Sequence, residues 1–168
     1  RQRVDTYLAI KYGTTMIGGE TSYVQNTDNG AGLTSVGQVF TASTTGGVNS
    51  ITLRTGGTAN GATGTLYMCT GSVSLANCIA NTGSVQMQTP QALTTIPTAL
   101  NTVFTINLTT PAEVVAGNQY TFVVSSGANV YYSLQNTDTY LGGNRVGFGT
   151  QDMYFSVNVA PDMISPTG

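Results

Sequence analysis

The chain has no histidine and no tryptophan, and charged residues make up only 7% of its 168 positions. The missing histidine removes Ser-His-Asp and Cys-His catalysis, together with every histidine-based metal site. With one lysine, Lys11, a Ser-Lys dyad or a Lys-Asn isopeptide crosslink has a single place to form. The five basic residues, Arg1, Arg3, Lys11, Arg54 and Arg145, are scattered, and the net charge is −2. Phosphate backbones are held by clustered Lys and Arg, so nucleic acid is not an expected partner. Membrane insertion is not expected either. There is no polybasic segment, no basic amphipathic helix, and no apolar run near the roughly 18 residues that suggest a spanning helix.

What is present is a folded chain of one domain's length. Hydrophobic residues make up 40%, and threonine with 21 glycines fills the positions where charges usually sit, so solubility rests on hydroxyls and amides. A compact unit of this size buries roughly 70% of its unfolded surface. Apolar residues recur with a period of two between turn signals such as Gly46-Gly47, Gly56-Gly57, Asn60-Gly61 and Gly142-Gly143. Strands are predicted at 21–26, 37–42, 50–55, 64–70, 84–89, 102–108, 119–126, 129–135 and 152–159. Phe104, Ile106 and Leu108 alternate with Val103, Thr105 and Asn107, and Phe155, Val157 and Val159 alternate with Tyr154, Ser156 and Asn158, which gives each strand one core face and one wet face. About nine such strands predict an all-β fold of two packed antiparallel sheets.

One helix is predicted, over 4–12, where Val4, Leu8 and Tyr12 fall at i, i+4 and i+8 and Gly13 stands at the stop position. The expected organisation is a helical lead-in or tail of a preceding domain at 1–16, a β-sandwich at 17–160 and a linker at 161–168. The abrupt start at RQRVDTYLAIKYG, without an export signal, and the end at APDMISPTG suggest a piece of a longer polypeptide.

Cys69 and Cys78 stand in CTGSVSLANC, too far apart for a CxxC redox pair. A short polar loop between strand-like segments suits a local disulfide, with two reduced buried thiols as the alternative. A disulfide favours an oxidising, extracellular setting.

Two stretches resemble known modules. RQRVDTYLAIKYGTTM is similar to a signature found in large secreted surface proteins of Bacteroidetes beside jelly-roll domains, with Thr14-Thr15 in place of the usual Ile-Thr. The remainder resembles a jelly-roll sandwich module of bacterial extracellular proteins through Gln38 and Phe40, Thr52 and Leu53, Gly117, Tyr120, Phe122 and Val124, and Asp152 and Phe155. The resemblance implies a jelly-roll fold and a cell-surface or extracellular location. These positions encode turns and core, and transfer no active site.

Ligand contact is best sought in the segment 129–149. Tyr131 and Tyr132 point to opposite strand faces, and Tyr140, Asn144 and Arg145 follow in a glycine-rich loop. An aromatic platform with amide and guanidinium donors suits sugars, and one tyrosine in the core with the others covering a sheet edge is the plainer alternative. Asn136, Asp138 and Asn144 are weak calcium candidates, with Asx turns as the alternative; no other cofactor is expected. Asp138 and Asp152 are the one carboxyl pair to weigh for glycosidase chemistry, with Asp138 as a turn cap and Asp152 as a strand start as the preferred reading. The leading expectation is therefore a non-enzymatic binding or adhesion module that meets a polysaccharide or a neighbouring surface protein. A structural spacer or filament subunit associating through edge strands is the second, and a carboxylate glycoside hydrolase the third.

Overall fold

A computed structural model describes residues 15–17, 33–56, 62–97, 99–135, 140–147, 149 and 151–161. Its ten strands are β1 (Thr15–Ile17), β2 (Leu33–Thr41), β3 (Gly46–Arg54), β4 (Ala62–Thr70), β5 (Gln91–Ile96), β6 (Val103–Val114), β7 (Gln119–Val130), β8 (Leu134–Gln135), β9 (Asp152–Met153) and β10 (Phe155–Pro161). One helix, α1 (Leu75–Ala80), lies between β4 and β5. Eight strands form two four-stranded antiparallel sheets, ordered β1-β10-β3-β6 and β2-β7-β4-β5, while β8 and β9 pair with each other.

Alternation explains the core. Phe155, Val157 and Val159 of β10 and Ile51 and Leu53 of β3 face inward from the first sheet, against Phe40, Leu66, Met68 and Phe122 from the second. An aromatic chain runs through this interface. Tyr120 and Phe40 lie 5.9 Å apart between centroids, Phe40 and Phe122 6.4 Å, Phe122 and Phe155 5.7 Å, and Phe155 meets Tyr140 edge-on at 5.1 Å. Pro111 sits in β6, an edge strand, where the register with β3 shifts between Val48 and Ser50. An irregular edge position is where a residue without an N–H is tolerated.

Several sequence expectations change. Residues 84–89 are not a strand: only Gln86 bridges, to Cys69, and the strand lies at Gln91–Ile96. The 129–135 segment is the end of β7, a bridge at Tyr132 and the two residues of β8. The helix expected at 4–12 and the strand expected at 21–26 lie outside the described residues, whereas α1 was not anticipated. Thr15–Ile17 pairs with Val157–Val159, so these residues belong to the first sheet.

The outer face of the second sheet departs from simple alternation. Thr121 and Val123 of β7 point away from the main core yet are fully buried, Val123 in a second cluster with Cys69 and Cys78. Residues 71–88 leave the sheet after β4 and fold back over that face, so β7 is buried on both sides from Tyr120 to Val124.

Candidate functional site

Cys69 and Cys78 form a disulfide with a Cα separation of 5.9 Å. Leu66 and Met68 face the main core and Tyr67 and Cys69 the outer cluster, so the staple is made on the outer face of β4. It ties α1 down there. The Ser74 hydroxyl caps the helix by accepting from Asn77 N at 3.2 Å, and Asn81 ends it at φ 55°. The buried Thr121 hydroxyl donates to Gly71 O at 2.7 Å and accepts from Val73 N at 3.2 Å, fixing the turn before the helix. Leu75 lies over Gly37, where an added Cβ would sit 2.7 Å from Phe122 O and 3.0 Å from Leu75 Cδ2. A side chain at 37 would push the helix off the sheet.

A second wall comes from the glycine-rich loop. Tyr140 accepts from Thr41 N at 3.0 Å through its hydroxyl and donates to Thr41 O at 3.3 Å. The Thr41 hydroxyl donates to Gly142 O at 2.6 Å. Beyond that turn the chain pairs with the free edge of β2: Val39 N donates to Asn144 O and Val146 N to Gly37 O, both at 2.9 Å. Gly143, at φ 152°, has no room for a Cβ against the Val39 carbonyl. Beneath the loop, Gln38 Nε2 donates to Asp152 Oδ1 at 2.9 Å and to Gly143 O at 3.2 Å, and its Oε1 accepts from Met153 N at 2.9 Å. Asp152 Oδ2 accepts from Tyr140 N at 2.9 Å.

Between the two walls runs an open groove of about 680 Å³, within the roughly 300–1,000 Å³ usual for ligand sites. Val39 lies in its floor, Val73, Leu75 and Ala76 line one side, and Asn144 and Val146 the other. Ser72, Ser74 and Gln119 add hydroxyl and amide groups. Arg145 is the one charged residue among the described residues that line it; 6% exposed, it donates from Nη1 to Gln151 Oε1 at 2.8 Å.

The sequence-selected residues divide on this geometry. Asn144 and Arg145 line the groove; Asn144 Nδ2 donates to Gly149 O at 2.8 Å. Tyr140 supports the loop from below, its ring packed on Phe155. Burial raises its phenol pKa above the ordinary value, the hydrogen bond with Thr41 opposes that rise, and the nearby Asp152 adds to it. Tyr132 belongs to the core at 6% exposure, so it offers no surface to a sugar, and burial pushes its phenol pKa well up. Tyr131 is half-buried, with its carbonyl accepting from Gly56 N at 2.8 Å. Asn136 and Asp138, and with them the calcium set and the Asp138–Asp152 carboxyl pair, lie outside the described residues. Asp152 is fully buried, and both its oxygens hold the loop in place. Among the described residues, no three metal-ligating side chains of His, Cys, Asp or Glu come together.

A family described as a domain of unknown function, DUF8202, matches residues 1–46, a stretch that includes β1 and β2. No curated protein matches the chain, and neither does any solved structure. The match covers the edge strand under the groove's loop wall and none of the opposite wall.

The tyrosines of 129–149 draw attention to Asn144 and Arg145 on the loop wall, whereas nothing in the sequence singles out Ser72, Leu75 or Gln119. The signal for the other wall was partly there, since Ser74 immediately before Leu75 is an N-cap candidate inside CTGSVSLANC. What no local pattern reveals is that this helix lands beside a loop about 70 positions later.

Proposed function

We propose that this chain is a non-enzymatic extracellular binding module of a larger surface protein and that it engages its partner, a polysaccharide or a neighbouring surface protein, through this groove. The observation that carries the reading is the way both walls are built. One is stapled to β4 by the disulfide and the other is clamped to β2 by Gln38, Tyr140 and backbone pairing, so a concave surface is held open with no charged cluster among the described residues that line it. Preorganisation of this kind lowers the ordering cost of binding. The disulfide also supports an oxidising compartment.

The strand order supports a jelly roll as the finer description of the sandwich. Strands 1, 3, 6 and 10 form one four-stranded sheet and 2, 4, 5 and 7 the other, and among these eight the chain crosses between sheets at every step except from β4 to β5, as in a double Greek key. The absence of histidine and the structural role of Asp152 support a reading without catalysis. The filament alternative has less support. The outer edge of β2 is covered by the loop at Asn144 and Val146, and on edge strand β6 the Gln91 side chain donates to Asn107 O and accepts from Thr109 N, both at 2.8 Å.

The test is adhesion of bead-coupled domain to isolated cell envelope of its source, compared with Ala76→Trp. Ala76 is an exposed position on the groove wall, so the large side chain fills the groove without entering the core. Binding that the variant loses supports the reading, and binding unchanged in a folded variant removes it.

A further inference from the structure

We infer that the groove accepts an uncharged saccharide chain, an inference that rests on reading the groove as the binding site. Three features of the lining lead there. The first is charge. Among the described residues, Ser72, Ser74, Gln119 and Asn144 supply its polar side chains, and no Lys, Asp or Glu lines it. Arg145 is almost wholly buried and engaged by Gln151, so it does not present a guanidinium to a ligand carboxylate or sulfate. An acidic glycan would lose water there without gaining a countercharge.

The second feature is the mixture of surfaces. Val73, Leu75 and Val146 form apolar patches beside hydroxyl and amide groups. Sugar rings present C–H faces flanked by hydroxyls, and Ser, Gln and Asn side chains both donate and accept, which suits a partner of the same kind. Gln119 is the reading group we single out. It is exposed at the start of β7 and its Nε2 lies 3.5 Å from Gly142 O, a long contact that a sugar hydroxyl can replace.

The third feature separates a saccharide from a peptide. A peptide that adds as a strand is held chiefly by main-chain hydrogen bonds to an open strand edge. The edge beside this groove is β2, and it is already paired, with Val39 N on Asn144 O and Val146 N on Gly37 O. An added strand would have to strip the loop away, whereas a saccharide binds through side chains and needs no open edge.

The experiment is affinity electrophoresis of the whole chain through gels holding a neutral polymer (dextran, mannan or xylan), an acidic one (alginate or polygalacturonate) or a cationic one (chitosan), at low and high salt. The envelope assay above runs in parallel. The expected result is retardation by at least one neutral polymer that salt leaves unchanged, about five- to tenfold weaker in Gln119→Ala, as for one lost hydrogen bond, and abolished in Ala76→Trp. Retardation by acidic or cationic polymers alone, or binding that salt removes, overturns the uncharged class while the groove stands as a binding site. Envelope adhesion that Ala76→Trp abolishes, without retardation by any neutral polymer, overturns the saccharide and makes the partner a protein. Loss of both signals removes the binding-site reading itself, and neutral binding that is equal in Ala76→Trp places the sugar elsewhere.

Discussion

Gln38 and Asp152, 114 positions apart, meet at 2.9 Å in a fully buried contact that ties β2 to β9 and roofs them with the glycine-rich loop. The Gln38 amide donates to Asp152 and to the Gly143 carbonyl, and its oxygen accepts from Met153 N. Gln38→Ala leaves a buried carboxyl and a buried N–H short of partners. The expected loss is about 3 kcal/mol, measured by urea unfolding, since hydrogen bonds to acidic groups contribute about 1.5–3 kcal/mol and stranded buried partners add to that. Hydrogen exchange at residues 143–147 rises with it. A loss below about 1 kcal/mol shows that the network does not hold the loop.

The Tyr132 hydroxyl is buried and has no hydrogen-bond partner among the described residues. Tyr132→Phe removes an unsatisfied polar atom and keeps the ring, so stability is expected to rise by about 1 kcal/mol. Thermal unfolding of the two proteins checks this, and a lower Tm in the variant counts against it.

Burial raises the phenol pKa of both Tyr132 and Tyr140 above the ordinary value of 10.0. A folded pKa above the unfolded one means that the folded state prefers the protonated phenol. The stabilisation is fully present below about pH 10 and is lost as pH rises through the folded pKa. Stability is therefore expected to be independent of these groups at neutral pH and to fall above about pH 10. The alkaline limb is flatter in a Tyr132→Phe, Tyr140→Phe double variant, and an unchanged limb shows that other groups govern it.

Replacing both Cys69 and Cys78 by serine opens a loop of nine-residue separation. The expected cost is about 2–3 kcal/mol, or roughly 5–10 °C in Tm for a domain of this size. Hydrogen exchange is expected to quicken over residues 71–88, which wall the groove, and to stay slow in β3 and β10. Uniform acceleration across both sheets would mean that the staple supports the whole sandwich.

Gly143→Ala forces a Cβ toward the Val39 carbonyl at a φ that side chains disfavour. A loss of about 1–3 kcal/mol is expected. Val39 and Val146 should lose amide protection, because their N–H groups make the pairing between β2 and the loop that the collision breaks. Gly149→Ala, where an added Cβ meets nothing within 4 Å, is the control expected to leave stability unchanged.

Much of the sandwich is visible in local pattern. Two-residue alternation identifies the inward faces of β4, β6 and β10, because neighbouring side chains of a strand must point to opposite sides whatever lies beyond them. The disulfide is legible for the same reason: its partners are nine positions apart, and a short loop after a strand end has few ways to go. Tertiary structure decided the rest. Thr121 and Val123 alternate with the core residues Tyr120, Phe122 and Val124 and are buried all the same, because residues 71–88 fold over them. Asp152 reads as a strand start or an acid, and its partners make it a brace for the loop. The groove exists where residues 72–76 meet residues 143–149. Alternation tells each side chain which way to face, but only long-range packing chooses what it meets there.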